Sequence, residues 1–208
     1  MGSRIMHLII ANRIAESLSI EDRTQFLLGS IAPDAVSPKE LSHFFIGDVR
    51  DYSRSIDYKG FLYKYRFQEQ SHYIMGYFTH LIADDIWLRG FNLSWLKNRM
   101  EADKELYNTY HNDFRLLNGK LLEHYGLTNE LRNRFSHHPA IIDLQEVTSN
   151  DVEAFIPYVL EDMKYDKGVL EEKLNVFTFN QIVGYIETSV DLGLLNIKSM
   201  LLKERSNS

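Results

Sequence analysis

The stretch HYIMGYFTHLIADDIW, residues 72–87, lies in the longest part of the sequence with a helical period, about residues 67 to 88. Four residues recur within it at intervals of four: His72, Gly76, His80 and Asp84. Residues at this spacing project from one face of a helix. Burying an imidazole and a carboxylate is costly unless something satisfies them. The stretch therefore predicts a mostly buried helix whose polar residues have a dedicated partner.

A metal ion is one candidate for that partner. A His and an Asp spaced by four can both reach a single ion. Eight histidines and 29 acidic residues would give about one such pair by chance, so the pair alone is weak. The position of the pair near Gly76 strengthens the case for a metal site, because a glycine inside a helix costs roughly 1 kcal/mol relative to Ala. A glycine there indicates close approach by another backbone or by a ligand.

Three other apolar segments each present one ligand-type residue. His7 begins the buried stripe of a helix predicted from Arg4 to Leu18. Asp34 lies in the break IAPDA, and His43 lies in LSHFF. Each has an ordinary alternative: His7 as a hydrogen-bonded core histidine, Asp34 as a cap and His43 as a surface residue. A shared ion would satisfy all of them together.

The remaining segments also predict helices. A second helix begins near Ser19, one or two follow Gly90 and end at Gly126, and a long one runs from about Thr178 to Lys203. We expect Asn150 and Asp151 to cap the helix that contains Pro157. No alternating strand series is convincing, and no linker divides the chain. The sequence therefore predicts one all-α domain over residues 1–208, with a frayed tail at 204–208.

Composition excludes several classes of protein and site. The net charge is −6 and no dense run of Lys or Arg occurs, which disfavours nucleic-acid binding by charge. Neither a transmembrane segment nor a secretion signal is readable, so we predict a cytoplasmic location. The absence of cysteine excludes disulfides and thiolate ligands, so any transition-metal site must use His, Asp and Glu. Nothing in the sequence indicates an oligomeric state.

Four motifs together resemble the zinc-dependent phospholipase C family, which is related in fold to the zinc-dependent single-strand nucleases. They are RIMHLIIANRIAE, FLLGSIAPDA, LSHFF and HYIMGYFTHLIADDIW, within residues 4–90. The resemblance implies a multi-helix bundle with a zinc centre. Carried over residue by residue, the implied ligands are His7, Asp34, His43, His80 and Asp84. The resemblance also implies hydrolysis of a phosphoester, with a phospholipid headgroup or another small phosphoester as substrate.

Characterised relatives of this kind hold three zinc ions and add a further His and a His-x-x-x-Glu pair, and no His here precedes a Glu at that spacing. One or two zinc ions are therefore expected, with other divalent transition metals as alternatives. His111 is the preferred further ligand, and a position on a helix surface is its alternative. Four histidines have no assigned role: His72, His124, His137 and His138. His72 lies roughly 12 Å along the helix from His80, too far to share its ion.

The leading functional hypothesis is a metal-dependent phosphoesterase. A metal ion lowers the pKa of water, which can then attack phosphorus. Asp34 would bridge ions or orient that water, and Asp84 would serve mainly as a ligand. A non-catalytic helical module with a structural metal or a buried polar network is the alternative. An HD-type phosphohydrolase is a lesser one, since its adjacent His-Asp dipeptide is absent.

Overall fold

The structure is a computed structural model that describes residues 3–68, 71–136 and 141–207. The α-helices are α1 (Arg4–Ser17), α2 (Arg23–Ile31), α3 (Tyr58–Lys64), α4 (His72–Trp87), α5 (Lys97–Ala102), α6 (Leu106–Tyr125), α7 (Thr128–Arg134), α8 (Ser149–Asp162) and α9 (Phe179–Asn207). Short 3-10 turns occupy Ala32–Ala35, Arg66–Gln68 and Lys167–Leu170, and a π-helical segment, Leu88–Leu96, joins α4 to α5. Strands β1 (Phe45–Ile46) and β2 (Ser55–Ile56) form a two-residue antiparallel pair. The predicted all-α fold is confirmed.

Helix α4 lies at the centre of the core. Every side chain from Tyr73 to Asp85 is buried, as expected for a helix packed on all sides rather than along one stripe. Helices α1, α2 and α9 pack against it. Its polar residues therefore face other helices and not solvent.

Two glycines bring α2 and α4 into backbone contact. A Cβ atom on Gly76 would lie 1.9 Å from the carbonyl oxygen of Phe26, and one on Gly29 would lie 2.0 Å from that of Tyr73. Only glycine allows two helices to approach this closely. The close backbone approach expected at Gly76 is thus present. It brings the C-terminal end of α2 against the face of α4 that carries His80.

Helix α1 forms the second wall of the core. The Ser3 hydroxyl accepts a hydrogen bond from the backbone N–H of Met6, which caps the helix. Its residues from Ile5 to Asn12 are all buried, and it contacts α2, α4, α6, α8 and α9. His7 consequently enters the middle of the bundle.

Local differences from the sequence prediction lie mainly at helix ends. Thr148 caps α8, and its hydroxyl and the carboxylate of Asp151 form a reciprocal capping box. Asn150 is the second residue of the helix and not its cap. Pro157 lies inside α8 without ending it. Helix α9 extends to Asn207, so fraying of residues 204–208 stays a prediction. Within the described ranges, no helix has the length and apolar character needed to cross a bilayer.

Candidate metal centre

Five predicted ligands converge in the core. They come from four separate parts of the chain: His7 on α1, Asp34 in the 3-10 turn after α2, His43 in the following loop, and His80 and Asp84 on α4. Their side chains are at most 5% exposed. Three imidazoles and two carboxylates therefore share one volume from which bulk water is excluded.

The backbone of α2 fixes the orientation of His80. Its Nδ1 lies 2.7 Å from the carbonyl oxygen of Ser30. Since a carbonyl can only accept, Nδ1 carries the proton and Nε2 has a free lone pair. The glycine crossing of α2 and α4 places Ser30 at this distance. The packing of two helices thus selects the tautomer that can bind a metal through Nε2.

His43 is oriented in the same way by Ser42. The Ser42 hydroxyl donates to the carbonyl oxygen of Pro33 at 2.9 Å, so its oxygen accepts from His43 Nδ1, 3.0 Å away. His43 Nε2 is then the unprotonated nitrogen. Tyr77 holds this loop against α4, because its hydroxyl donates to the Ser42 carbonyl. The loop that carries His43 is therefore tied both to the turn that carries Asp34 and to the central helix.

Three donor atoms, those of His43, His80 and Asp84, lie close enough together to share one zinc ion. His43 Nε2 lies 3.3 Å from His80 Nε2, 3.3 Å from Asp84 Oδ2 and 3.5 Å from Asp34 Oδ1. His80 Nε2 lies 3.6 Å from Asp84 Oδ2. Ligands about 2.0–2.1 Å from a tetrahedral zinc ion are roughly 3.3–3.4 Å apart. The two facing Nε2 lone pairs repel each other unless a cation or a proton lies between them. The residues fit a zinc ion.

His7 lies beside these three donors and belongs to a second group, with Asp34 and His80. Its ring stacks on His80 with centroids 3.7 Å apart. Its Nε2 is 3.3 Å from Asp84 Oδ1, the carboxylate oxygen that faces away from His43. Neither ring nitrogen of His7 makes a hydrogen bond within the described part of the chain, so this contact has the distance of one but not its orientation. A buried imidazole with two unsatisfied nitrogens is costly.

Electrostatics keep most of these groups in metal-binding form. Burial alone would raise the pKa of Asp84 and Asp34, yet both lie well below the usual range, and the hydrogen bond with His43 is a lowering contribution that they share. Burial, with His7 nearby, lowers the pKa of His80 to about 3. Burial would also lower the pKa of His43, yet Asp34 and Asp84 raise it above its usual value. Ionised carboxylates and neutral His80 suit a divalent cation, and a proton competes with it at His43.

A cleft of about 550 Å³ opens at Asp34. Of the five clustered residues, Asp34 is the one that also lines this cleft, and it forms an ion pair there with Lys39. Arg4, His111 and Arg115 contribute further basic groups to the walls. The buried centre therefore has an accessible side, and that side is rich in positive charge.

His111 lies in the cleft wall and not among the clustered donors. Two groups of three have their donor atoms within 4.8 Å of one another: His7, Asp34, His80 and His43, His80, Asp84. Neither contains His111, whose ring instead contacts Tyr107 and Tyr110 with centroids 4.4 and 5.3 Å away. It is exposed on one face of α6. Its expected role as a ligand has no support from these distances.

The other histidines lie elsewhere. His72 Nδ1 accepts a hydrogen bond from the backbone N–H of Asp22, so it joins the starts of α2 and α4. His124 packs edge-on against Tyr125 and Phe179 near the end of α6. His137 and His138 lie outside the described residues.

Sequence reasoning missed several residues of the cleft and of the support around the centre. Ser30 acts through a backbone carbonyl, which no side-chain pattern reveals. Lys39, Asn118 and Asp162 reach the cleft from different elements. A signal was available for Arg115, since it follows His111 by four and both project from one face of α6.

Comparison with known proteins agrees with this geometry. A family model described as zinc dependent phospholipase C matches residues 6–183. The chain belongs to the zinc-dependent phospholipase C family. No curated protein and no solved structure gives a match.

The match to the family model covers residues 6–183, whereas the four motifs lie within residues 4–90. For this member of the zinc-dependent phospholipase C family, the match supports metal-dependent hydrolysis of phosphoesters at the level of the family. It also implies zinc as the metal, which the clustered His and Asp side chains could bind.

Proposed function

We propose that this protein is a zinc-dependent phosphodiesterase that cleaves a small phosphoester or a phospholipid headgroup in the cleft beside Asp34. One observation carries the proposal: a buried set of donors with zinc-like spacing opens, at one of its own carboxylates, into a cleft lined by basic side chains. A structural metal needs the donors but not the cleft.

Three residues would hold the principal zinc ion: His43 and His80 through Nε2 and Asp84 through Oδ2. His7 lies beside the second oxygen of Asp84 and belongs, with Asp34 and His80, to the other group of three donors, which would hold a second ion. When bound, zinc supplies Lewis-acid chemistry, which lowers the pKa of water and polarises a phosphoryl oxygen. One or two zinc ions are therefore part of the proposal.

Asp34 has the most direct catalytic role in this proposal. It is the carboxylate that borders both the buried donors and the cleft. An ionised carboxylate there accepts a hydrogen bond from the attacking water and orients it toward phosphorus. The depressed pKa of Asp34 suits orientation and coordination better than removal of a proton. Asp84, fully buried behind it, serves as a ligand only.

Basic residues of the cleft stabilise the negative charge of the phosphoryl group. Lys39 pairs with Asp34, and once Asp34 coordinates a cation the ammonium is available to a phosphoryl oxygen. Arg115 and His111 project from the same face of α6 into the cleft. Positive charge placed around phosphorus before the reaction is the main contribution a protein makes to phosphoryl transfer.

The competing hypotheses explain fewer of these features. A closed hydrogen-bond network would satisfy His7, whose ring nitrogens make no hydrogen bond to any described residue. A purely structural metal gives no reason for four basic side chains in the cleft that borders Asp34: Arg4, Lys39, His111 and Arg115. An HD-type phosphohydrolase requires an adjacent His-Asp pair that the sequence lacks.

Metal content and turnover test the proposal together. The purified protein should contain zinc and hydrolyse a chromogenic phosphodiester, and a chelator should abolish turnover until zinc is restored. His80→Ala should lose both metal and activity. His124→Ala replaces a histidine of α6 that lies outside the centre, so it should retain both. Bound zinc without turnover on any phosphodiester would support the structural-metal alternative, and unchanged metal in His80→Ala would refute the proposed centre.

A further inference from the structure

The cleft beside Asp34 has little to offer a positively charged ligand. Its lining contains two carboxylates, Asp34 and Asp162. Asp162 is already paired with Arg4, with Nε and Oδ2 2.7 Å apart, and Asp34 is a zinc ligand in the proposed function. Arg4, Lys39 and Arg115 therefore give the cleft an excess of positive charge.

The aromatic side chains of the cleft are also occupied. The guanidinium of Arg4 lies over the ring of Phe155, 5.2 Å from its centroid. Phe114 packs edge-on against Tyr110, with centroids 4.5 Å apart, and tilts against Trp87. A quaternary ammonium group is normally bound by open aromatic faces together with free carboxylates. In the described walls of this cleft, both carboxylates are paired and each aromatic ring already packs against a cation or another ring.

Asn118 presents an unsatisfied amide in the same wall. The residue is 8% exposed and lines the cleft, and its Oδ1 makes no hydrogen bond to any described residue. A buried amide without a partner costs about 1–3 kcal/mol. A hydroxyl group of a ligand can satisfy either end of an amide, because it donates and accepts. A trimethylammonium group can satisfy neither end.

Arg115 lies one turn before Asn118 on α6 and completes the polar surface. Its only carboxylate contact within the described ranges is Glu172, with Nη2 and Oε2 3.7 Å apart and both side chains more than half exposed. Ion pairs this exposed are weak. Arg115 also donates two long hydrogen bonds, each of 3.3 Å, to the exposed Asn112 Oδ1, and water can replace these weak contacts when Arg115 turns toward a ligand oxygen.

We infer that the alcohol bound in this cleft is an uncharged polyol, of the glycerol, sugar or cyclitol class, with a hydroxyl group on Asn118 and Arg115 beside it. An alcohol bearing a quaternary ammonium group is disfavoured. The inference rests on the proposed function, since it concerns the alcohol side of the phosphoester cleaved there.

Turnover of three short-chain phospholipids with identical acyl chains, used below their aggregation concentration, tests this inference on the zinc-loaded protein. They carry glycerol, ethanol or choline as the head alcohol. The first two have the same charge and differ in hydroxyl groups, so their ratio of kcat/KM isolates the hydroxyl contact. We expect glycerol to exceed ethanol by about tenfold, the equivalent of one hydrogen bond of about 1.4 kcal/mol, and choline to be the poorest.

Two cleft variants locate the contact. Asn118→Leu should reduce the glycerol-to-ethanol ratio to near one, and Arg115→Gln, an exposed substitution that leaves the core intact, should reduce it in part. Asn196→Leu makes the same side-chain change on α9, outside the cleft lining, and should leave the ratio unchanged. Zinc content and thermal unfolding identify a variant that has simply misfolded. A ratio that Asn118→Leu and Arg115→Gln both leave intact overturns the assignment.

Binding of the corresponding phosphate monoesters separates this inference from the proposed function. Calorimetry with glycerol phosphate, ethyl phosphate and phosphocholine requires no turnover. Preference for glycerol phosphate that Asn118→Leu abolishes supports the inference even if every phosphodiester is left intact, in which case the proposed function fails alone. Turnover with choline equal to or above glycerol overturns the inference and leaves the proposed function standing.

Discussion

Helices α4 and α6 each present a histidine and a charged residue one turn apart, and the two pairs have different environments. On α4, His80 and Asp84 are fully buried and lie within 3.6 Å of each other. On α6, His111 and Arg115 are exposed in the wall of a cleft. The same spacing therefore serves two purposes. Buried groups need an internal partner such as an ion, whereas exposed groups can remain hydrated until a ligand arrives.

Removing a ligand from the buried pair should have the largest effect. Asp84→Asn preserves the shape of the side chain but removes the charge and one metal-binding oxygen. We expect affinity for zinc to fall by more than ~100-fold, since even residues that only orient a ligand are worth 10–100-fold, and turnover to disappear with it. Zinc per chain after dialysis and hydrolysis of a phosphodiester measure both. Full zinc occupancy in this variant would contradict the proposed centre.

The glycine crossing that orients His80 should have the next largest effect. Gly76→Ala would force a Cβ atom to within 1.9 Å of the Phe26 carbonyl. We expect a loss of about 3 kcal/mol or more in the free energy of unfolding, because backbone must move to relieve this overlap.

The control is Gly184→Ala in α9, where a Cβ atom meets no other atom within 4 Å. There the change should be neutral or should stabilise the protein by up to ~1 kcal/mol, the difference in helix propensity. Urea unfolding of both variants provides the comparison. Equal stability of the two would show that α2 and α4 are not in backbone contact.

Removing the exposed histidine should affect turnover and leave the metal in place. His111→Ala should lower kcat/KM by roughly tenfold, the value of one hydrogen bond to a charged phosphoryl oxygen. Zinc content should remain that of the unmodified protein. A loss of zinc from His111→Ala would instead restore His111 as a ligand and remove the contrast between the two helices.

The smallest effect is expected at an ion pair outside both regions. Glu187 accepts from Arg13 and from the Tyr125 hydroxyl, and its hydrogen bond with Arg13 lowers the pKa of its carboxyl. Because this pKa is lower in the folded state, the ionised carboxyl stabilises the folded state at pH values above 4.5, its pKa in the unfolded chain. The contribution is lost as the pH falls through the lower pKa of the folded state.

Glu187→Gln should therefore cost less than ~1 kcal/mol at pH 7, because the pair is partly exposed. Unfolding in urea at several pH values should show the difference from the unmodified protein shrinking below pH 4.5 and in high salt. If the difference in the free energy of unfolding does not change with pH, the effect of Glu187→Gln comes from packing and not from charge.

The candidate ligands could be recognised from sequence because burial of polar groups leaves a pattern. His80 and Asp84 interrupt an apolar helix, and His7 interrupts another. Gly76 indicated a close backbone approach for the same reason: a costly residue requires a local explanation. The same reasoning did not place His111 correctly. A side chain of the ligand type does not reveal how far it lies from the other donors in the folded chain.

The sequence by itself determined the helical fold, the donor types and the absence of thiolate chemistry, because periodicity and composition are properties of the chain. Only the tertiary structure decided which donors lie close enough to share an ion, which nitrogen of His43 and of His80 is free to bind it, and that Asp34 opens to a cleft with basic side chains. Those facts depend on distances between segments far apart in sequence, and on backbone carbonyls such as that of Ser30 that no side-chain pattern encodes. Coordination is a property of positions in space, and close packing of α2 against α4 supplies those positions.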